Sequence, residues 1–287
     1  MKKIIIIILA IIIVISFFLI KPFSKKNNID NDQLSQSKYY KSENKERYNQ
    51  YRINNPTKNI MQVIIEVNIG LDKTFYTNTK EIKIPSSSLV LVNKFNFLNS
   101  TYVPDDLVKV DYTSIRRDAY DDFVEMKKEM AKNDLYIVAV SGYRSYSYQE
   151  RLYNKYVRID GMENADRYSA RAGFSEHQTG LAIDVSNGKL PYTSFEKTKE
   201  FTWMVSNCYK YGFILRYPKN KENITGYTYE SWHFRYVGTE AASYIKKHNI
   251  TFDEYYVMFI DWLTFLGLEL PHLLQKLPSI ILPQLGQ

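Results

Sequence analysis

The sequence predicts an α+β domain, a sheet with flanking helices, preceded by a membrane-spanning N-terminal helix. Three observations carry this prediction. Short β-branched runs mix with amphipathic stretches without the regular cadence of a doubly wound sheet. The 287 residues are 45% hydrophobic, enough for one generous core. Residues 4–20 contain no charge and are mostly Ile, Leu, Val and Phe.

At helical rise those seventeen residues cover roughly 25 Å, just short of a ~30 Å hydrocarbon core. Flanking Lys2, Lys3 and Lys21 can snorkel to make up the difference. Lys21-Pro22-Phe23 lacks the small-x-small pattern of a cleavage site, so residues 1–20 are expected to be an uncleaved, single-pass signal anchor at the cell membrane. The rest of the chain is expected outside the cell. Residues 21–58 are rich in Asn, Lys, Ser and Gln, which predicts a solvated tether spanning roughly 35 Å on average.

From Ile60, MQVIIEVNIG and then SLVLVNKFNF read as strands from their β-branched content. Ala119, Phe123, Met126 and Met130 then fall on one face of a helix. LYIVAV, residues 135–140, reads as a buried strand, and Tyr148, Leu152 and Tyr156 line a second helix. Residues 181–185 read as a strand, and residues 201–211 as a helix closed by Gly212. Residues 213–217 and 232–237 are further strands, and Gly238-Thr239 opens a helix through Lys247. The globular domain is expected over residues 59–251. Residues 252–287 form an apolar tail with no role that the pattern assigns; from Tyr255 onward it is rich in Leu, Ile and Pro and is interrupted by Asp261, Glu269, Lys276 and three prolines.

Charge and cysteine content exclude several function classes. The net charge is +7, and residues 1–58 hold eleven Lys or Arg against four Asp or Glu. The excess therefore lies outside the globular domain and gives no ground for nucleic-acid binding. Cys208 is the only cysteine, which excludes an intramolecular disulfide and a cysteine-rich zinc site, and its helical setting predicts a small buried residue.

Of the four histidines, His248 reads as a helix-end cap and His272 lies in the tail without polar companions. His177 and His233 differ. In SEHQTGLAIDVS, Asp184 follows His177 by seven residues, with Gly180 permitting a turn before a strand. In YESWHFRYVG, Glu230 precedes His233 by three. Two imidazoles and a carboxylate are a known catalytic zinc set that leaves one position for water. Each residue alone also has an ordinary explanation, as a hydrogen-bonded core histidine or a strand-end cap. Arg144, in SGYRSYSYQ, follows a buried strand; its guanidinium suits a substrate carboxylate, an oxyanion or a structural ion pair.

SGYRSYSYQ, SEHQTGLAIDVS and ESWHFRYVG together resemble, in order and spacing, the motifs of the VanY-type D-alanyl-D-alanine carboxypeptidases, zinc peptidases of family M15. The resemblance spans residues 59–251. It implies the Hedgehog/DD-peptidase fold with its antiparallel sheet, one Zn2+ on His177, Asp184 and His233, and Glu230 as catalytic base. It further implies that Arg144, Gln149 and Ser175 bind the terminal residue of a peptidoglycan stem peptide, with Trp232 lining the same pocket. Ser231 stands where the family usually has proline. The implied activity is D,D-carboxypeptidase; an L,D-carboxypeptidase, a D,D-dipeptidase or a non-catalytic wall-binding module would use the same scaffold.

Overall fold

The computed structural model describes residues 31–261, and the expected membrane anchor, the first part of the tether and residues 262–287 lie outside them. Among the described residues no helix is long and apolar enough to cross a membrane. The chain divides into two compact units, Met1–Ile64 and Ile65–Gln287.

In the first unit the described part of the expected tether, residues 31–58, is largely helical rather than coil. Helices α1 (Asn31–Ser35) and α2 (Lys45–Asn54) occupy much of it, with a short 3-10 turn at Ser42–Asn44. The polar composition hid good helix formers: α2 is KERYNQYRIN, and its Tyr48 is buried with its ring 5.5 Å from that of Tyr40. Helix α3 (Ile60–Ile69) runs across the boundary and corrects the first expected strand. Its start is a reciprocal cap, Asn59 Oδ1 accepting from the Gln62 amide (2.9 Å) and Gln62 Oε1 from the Asn59 amide (3.0 Å). The apolar run it contains, with Val63, Ile64, Ile65 and Val67 all buried, is too continuous to reveal its period.

The second unit is built around one four-stranded sheet. Before it come the two-residue strands β1 (Lys80–Glu81) and β2 (Asn96–Phe97), paired in parallel, and the hairpin of β3 (Leu107–Val110) and β4 (Thr113–Arg116). The stretch expected as a long strand from Ser88 is thus a strand only at its end. Its carbonyls find another partner: Arg235 Nη2 donates to the oxygens of Ser88 (3.0 Å) and Val90 (2.7 Å).

Helix α4 (Arg117–Ala131) buries Ala119, Phe123, Met126 and Met130, the face its spacing predicts. Strand β5 (Val138–Ser141) leads to α5 (Tyr146–Asp160), which buries Gln149 and Tyr153 rather than the exposed Tyr148, and to α6 (Met162–Tyr168). A 3-10 turn, Glu176–Thr179, ends at Gly180 in the left-handed region and feeds β6 (Ala182–Ser186). After α7 (Lys199–Asn207), a further 3-10 turn carries the buried Cys208 and closes at left-handed Gly212. Strand β7 (Phe213–Leu215), the short α8 (Glu222–Thr225), β8 (His233–Tyr236) and α9 (Thr239–His248) follow.

The sheet order is β5-β6-β8-β7, antiparallel throughout. Its core side packs Ile183, Val185, Phe213 and Phe234 with the apolar face of α4. The domain does not stop at residue 251. Helix α10 (Phe252–Phe259) opens with a Thr251–Glu254 capping box and packs Phe252, Tyr255 and Phe259 with α9 and Leu89.

Candidate metal centre

The register of two neighbouring strands creates the site. Asp184 on β6 lies directly opposite His233 on β8, and opposed residues in an antiparallel pair share a face. Ser141 of β5 lies opposite Asp184 on its other side, beyond a bulge that follows Ala139. The chain leaving β5 bends back so that the Arg144 amide bonds the His177 carbonyl (3.2 Å). That brings the 3-10 turn, and His177 with it, over the strand ends.

One ligand atom from each of His177, Asp184 and His233 lies within 4.8 Å of the other two. Asp184 Oδ1 is 3.4 Å from His177 Nε2 and 3.1 Å from His233 Nδ1. The rings stand edge to face at 89°, with centroids 4.9 Å apart. Each opposite edge is held: His177 Nδ1 meets the Gly142 carbonyl at 2.7 Å, and His233 Nε2 meets Glu176 Oε1 at 2.9 Å. Asp184 Oδ2 accepts from Arg144 Nη2, whereas Asp184 Oδ1 is buried without a hydrogen-bond partner. An orphaned carboxylate oxygen facing two ring nitrogens fits a divalent cation, and two nitrogens and one oxygen suit zinc.

Electrostatics at the cluster are strongly biased. Burial would raise the Asp184 carboxyl, but the neighbouring His177 and Arg144 hold it well below the usual carboxylate range. Burial, reinforced by Arg144, lowers His177. Burial would lower His233 too, yet the carboxylates of Asp184 and Glu176 beside it push it up to about 9. Glu230, whose Oε2 is 3.5 Å from His233 Nδ1, is pushed up to about 8 by burial, against the attraction of His233.

A cavity of about 300 Å³ opens onto this cluster, and all eight residues singled out from the sequence line it: Arg144, Gln149, Ser175, His177, Asp184, Glu230, Trp232 and His233. Arg144 Nε bonds Ser141 Oγ at 2.9 Å and its Nη2 is committed to Asp184, so the ion pair with Asp184 exists alongside its place on the cavity wall. Gln149 Nε2 donates to the Ala170 carbonyl at 2.8 Å, and its buried Oε1 has no partner. Trp232 stands edge to face with Tyr192, 5.3 Å away. The sequence reading missed Glu176, which takes Arg216 Nε (2.9 Å) and Arg235 Nη1 (3.3 Å) on its second oxygen. It also missed Tyr217, whose ring lies 4.9 Å from that of His233. Glu176 carries one available signal, its place beside His177, but its partners lie 40 and 59 residues on.

Residues 112–239 match the family described as VanY, D-alanyl-D-alanine carboxypeptidase. The chain is 43% identical over 206 residues to YodJ of Bacillus subtilis (strain 168), itself named only provisionally as a carboxypeptidase; the match covers 65% of this chain and 76% of that one. Among solved structures it is similar to the LdcB LD-carboxypeptidase, at 41% identity and a TM-score of 0.59, over 63% of this chain and 90% of that one. It is also similar to the D,D-pentapeptidase VanY of a VanB-type vancomycin resistance cassette, solved as a point mutant with Zn(II). There the identity is 30% and the TM-score 0.53, over 58% of this chain and 98% of that one.

Proposed function

Because the chain belongs to the VanY family of carboxypeptidases, we propose that it is a zinc D,D-carboxypeptidase that removes the terminal D-alanine from peptidoglycan stem peptides. The observation that carries the reading is Glu230 poised 3.5 Å from His233 Nδ1, beside three converging donors and a guanidinium on one cavity wall.

His177 Nε2, His233 Nδ1 and Asp184 Oδ1 would hold one Zn2+. Bound there, the ion supplies Lewis acidity and makes water acidic enough to ionise near neutral pH. Glu230 Oε2 takes the proton of the attacking water and returns it to the departing amine. A C-terminal carboxylate needs a fixed cation, and Arg144 provides one, pinned by Ser141 and Asp184 with Nη1 still to give. The partnerless Gln149 Oε1 is a ready acceptor for a substrate N–H, and Ser175 and Trp232 close the same wall. Burial of the cluster keeps bulk water from competing with these contacts.

A second reading, L,D-carboxypeptidase, draws support from the 41% identity to LdcB. The full-length chain incubated with pentapeptide and tetrapeptide stems, with products identified by mass, separates the two. Shortening of the pentapeptide alone supports the D,D assignment; shortening of the tetrapeptide alone replaces it with the L,D one. Release from neither removes the hydrolase reading.

The same reading puts the chain at the outer face of the cell membrane, held by residues 4–20, an uncharged run well suited to span. Cell fractionation is expected to find the intact chain with membranes and a chain lacking residues 1–20 in the soluble fraction.

A further inference from the structure

The two imidazoles of the site are steadied by different chemistry. His177 rests its Nδ1 on a neutral peptide carbonyl, that of Gly142. His233 gives Nε2 to a carboxylate, Glu176 Oε1, at 2.9 Å. A carboxylate oxygen only accepts there, so this contact keeps a proton on Nε2 and leaves Nδ1 for the donor cluster.

Glu176 is itself held from behind. Its Oε2 receives Arg216 Nε at 2.9 Å and Arg235 Nη1 at 3.3 Å. Arg216 Nη1 reaches Asp253 Oδ2 at 2.6 Å, and Asp253 Oδ1 receives Asn93 Nδ2 at 3.0 Å. All four charged groups are buried, two of each sign. Such a core of ions is poor value as a stabiliser, since apolar side chains of similar volume do as well or better. A role in orientation accounts for its form: it ends on a ring nitrogen of the site, and every link is directional.

We propose that Glu176 is a positioning residue for His233, with Arg216 and Asp253 as its support, so that helix α10, beyond the matched residues 112–239, is part of the metal site. The proposal rests on the reading of His233 as a metal ligand. Partners of this kind fix the ring and raise its donor strength, and their loss commonly weakens metal binding about 10- to 100-fold.

The test uses the full-length chain, with Zn2+ affinity measured by chelator competition and the visible absorption of the Co2+-loaded form. Glu176→Gln is expected to weaken Zn2+ binding at least about tenfold, and Asp253→Asn in the same direction by a smaller factor, both with altered Co2+ bands. Thr251→Ala, which removes the α10 cap without touching the network, should lower the melting temperature and leave the Co2+ bands unchanged. Should the network variants fail to fold, nitrogen-15 NMR of the wild-type Zn2+ form reads the same point. A His233 proton on Nε2 supports the proposal, and one on Nδ1 overturns it. Wild-type affinity and bands in both network variants overturn it while leaving the metal site standing. A wild-type chain that binds no Zn2+ overturns both.

Discussion

Glu230 is buried beside a cluster that already contains the carboxylate of Asp184, and burial pushes it up to about 8 from an unfolded value near 4.5. In the metal-free protein the folded state therefore keeps a proton that the unfolded chain releases between those two values, and stability falls as pH rises through that window. The loss is on the order of a few kcal/mol at pH 8 and above. Glu230→Gln removes it. The variant should melt roughly 5 °C higher than the wild type at pH 8 without metal, by calorimetry, while losing turnover by at least about a hundredfold. An unchanged rate would dismiss Glu230 as the base. His233→Ala should instead lose stoichiometric Zn2+, read by metal analysis of the dialysed protein.

At the scale of elements, the site depends on close approach between β4 and the loop after β5. A Cβ on Gly142 would meet the Ser114 carbonyl oxygen at 2.5 Å and the Ile115 and Thr113 side chains at 2.9 Å. Gly142 also supplies the carbonyl that steadies His177. Gly142→Ala should therefore cost about 1–3 kcal/mol and weaken Zn2+ binding together, measured by melting and by chelator competition. The elements that form the candidate site were legible in the sequence because their signals are local: a histidine and an aspartate flanking a glycine turn, and a glutamate three residues before a histidine. Helix α4 was legible from its alternating four- and three-residue spacing. Helix α3 was not, because an almost unbroken apolar run fits either period, although the Asn59–Gln62 cap was there to be read. The chain after Ser88 looked like strand since it is apolar and β-branched, yet an arginine from 147 residues away takes the place of a neighbouring strand. Glu176 escaped notice for the same reason, its partners being distant in sequence.

For the whole molecule, the buried ions tie the last described helix to the sheet. Ending the chain at Thr251 would strip Asp253 from Arg216 and expose Phe252, Tyr255 and Phe259, so that variant should be unfolded or protease-sensitive under conditions where the full chain resists. Acid should act through the same ions. Burial alone would raise Glu176, but Arg216 and Arg235 outweigh it and hold the carboxyl below its unfolded value near 4.5. The unfolded chain then binds the extra proton, so this contribution is complete above that value and drains away as pH falls toward the folded one. Melting scans from pH 7 to 3 should show the decline, shallower in Glu176→Gln. Cys208 offers an independent gauge of such opening. It is the single thiol of the chain, and burial pushes it up to about 12, so almost none is thiolate at neutral pH. A maleimide can reach it only when the surrounding turn comes apart, which makes its labelling rate a stopwatch for unfolding that needs no engineered probe. Loading the protein with zinc should slow that clock in proportion to the stability the ion adds.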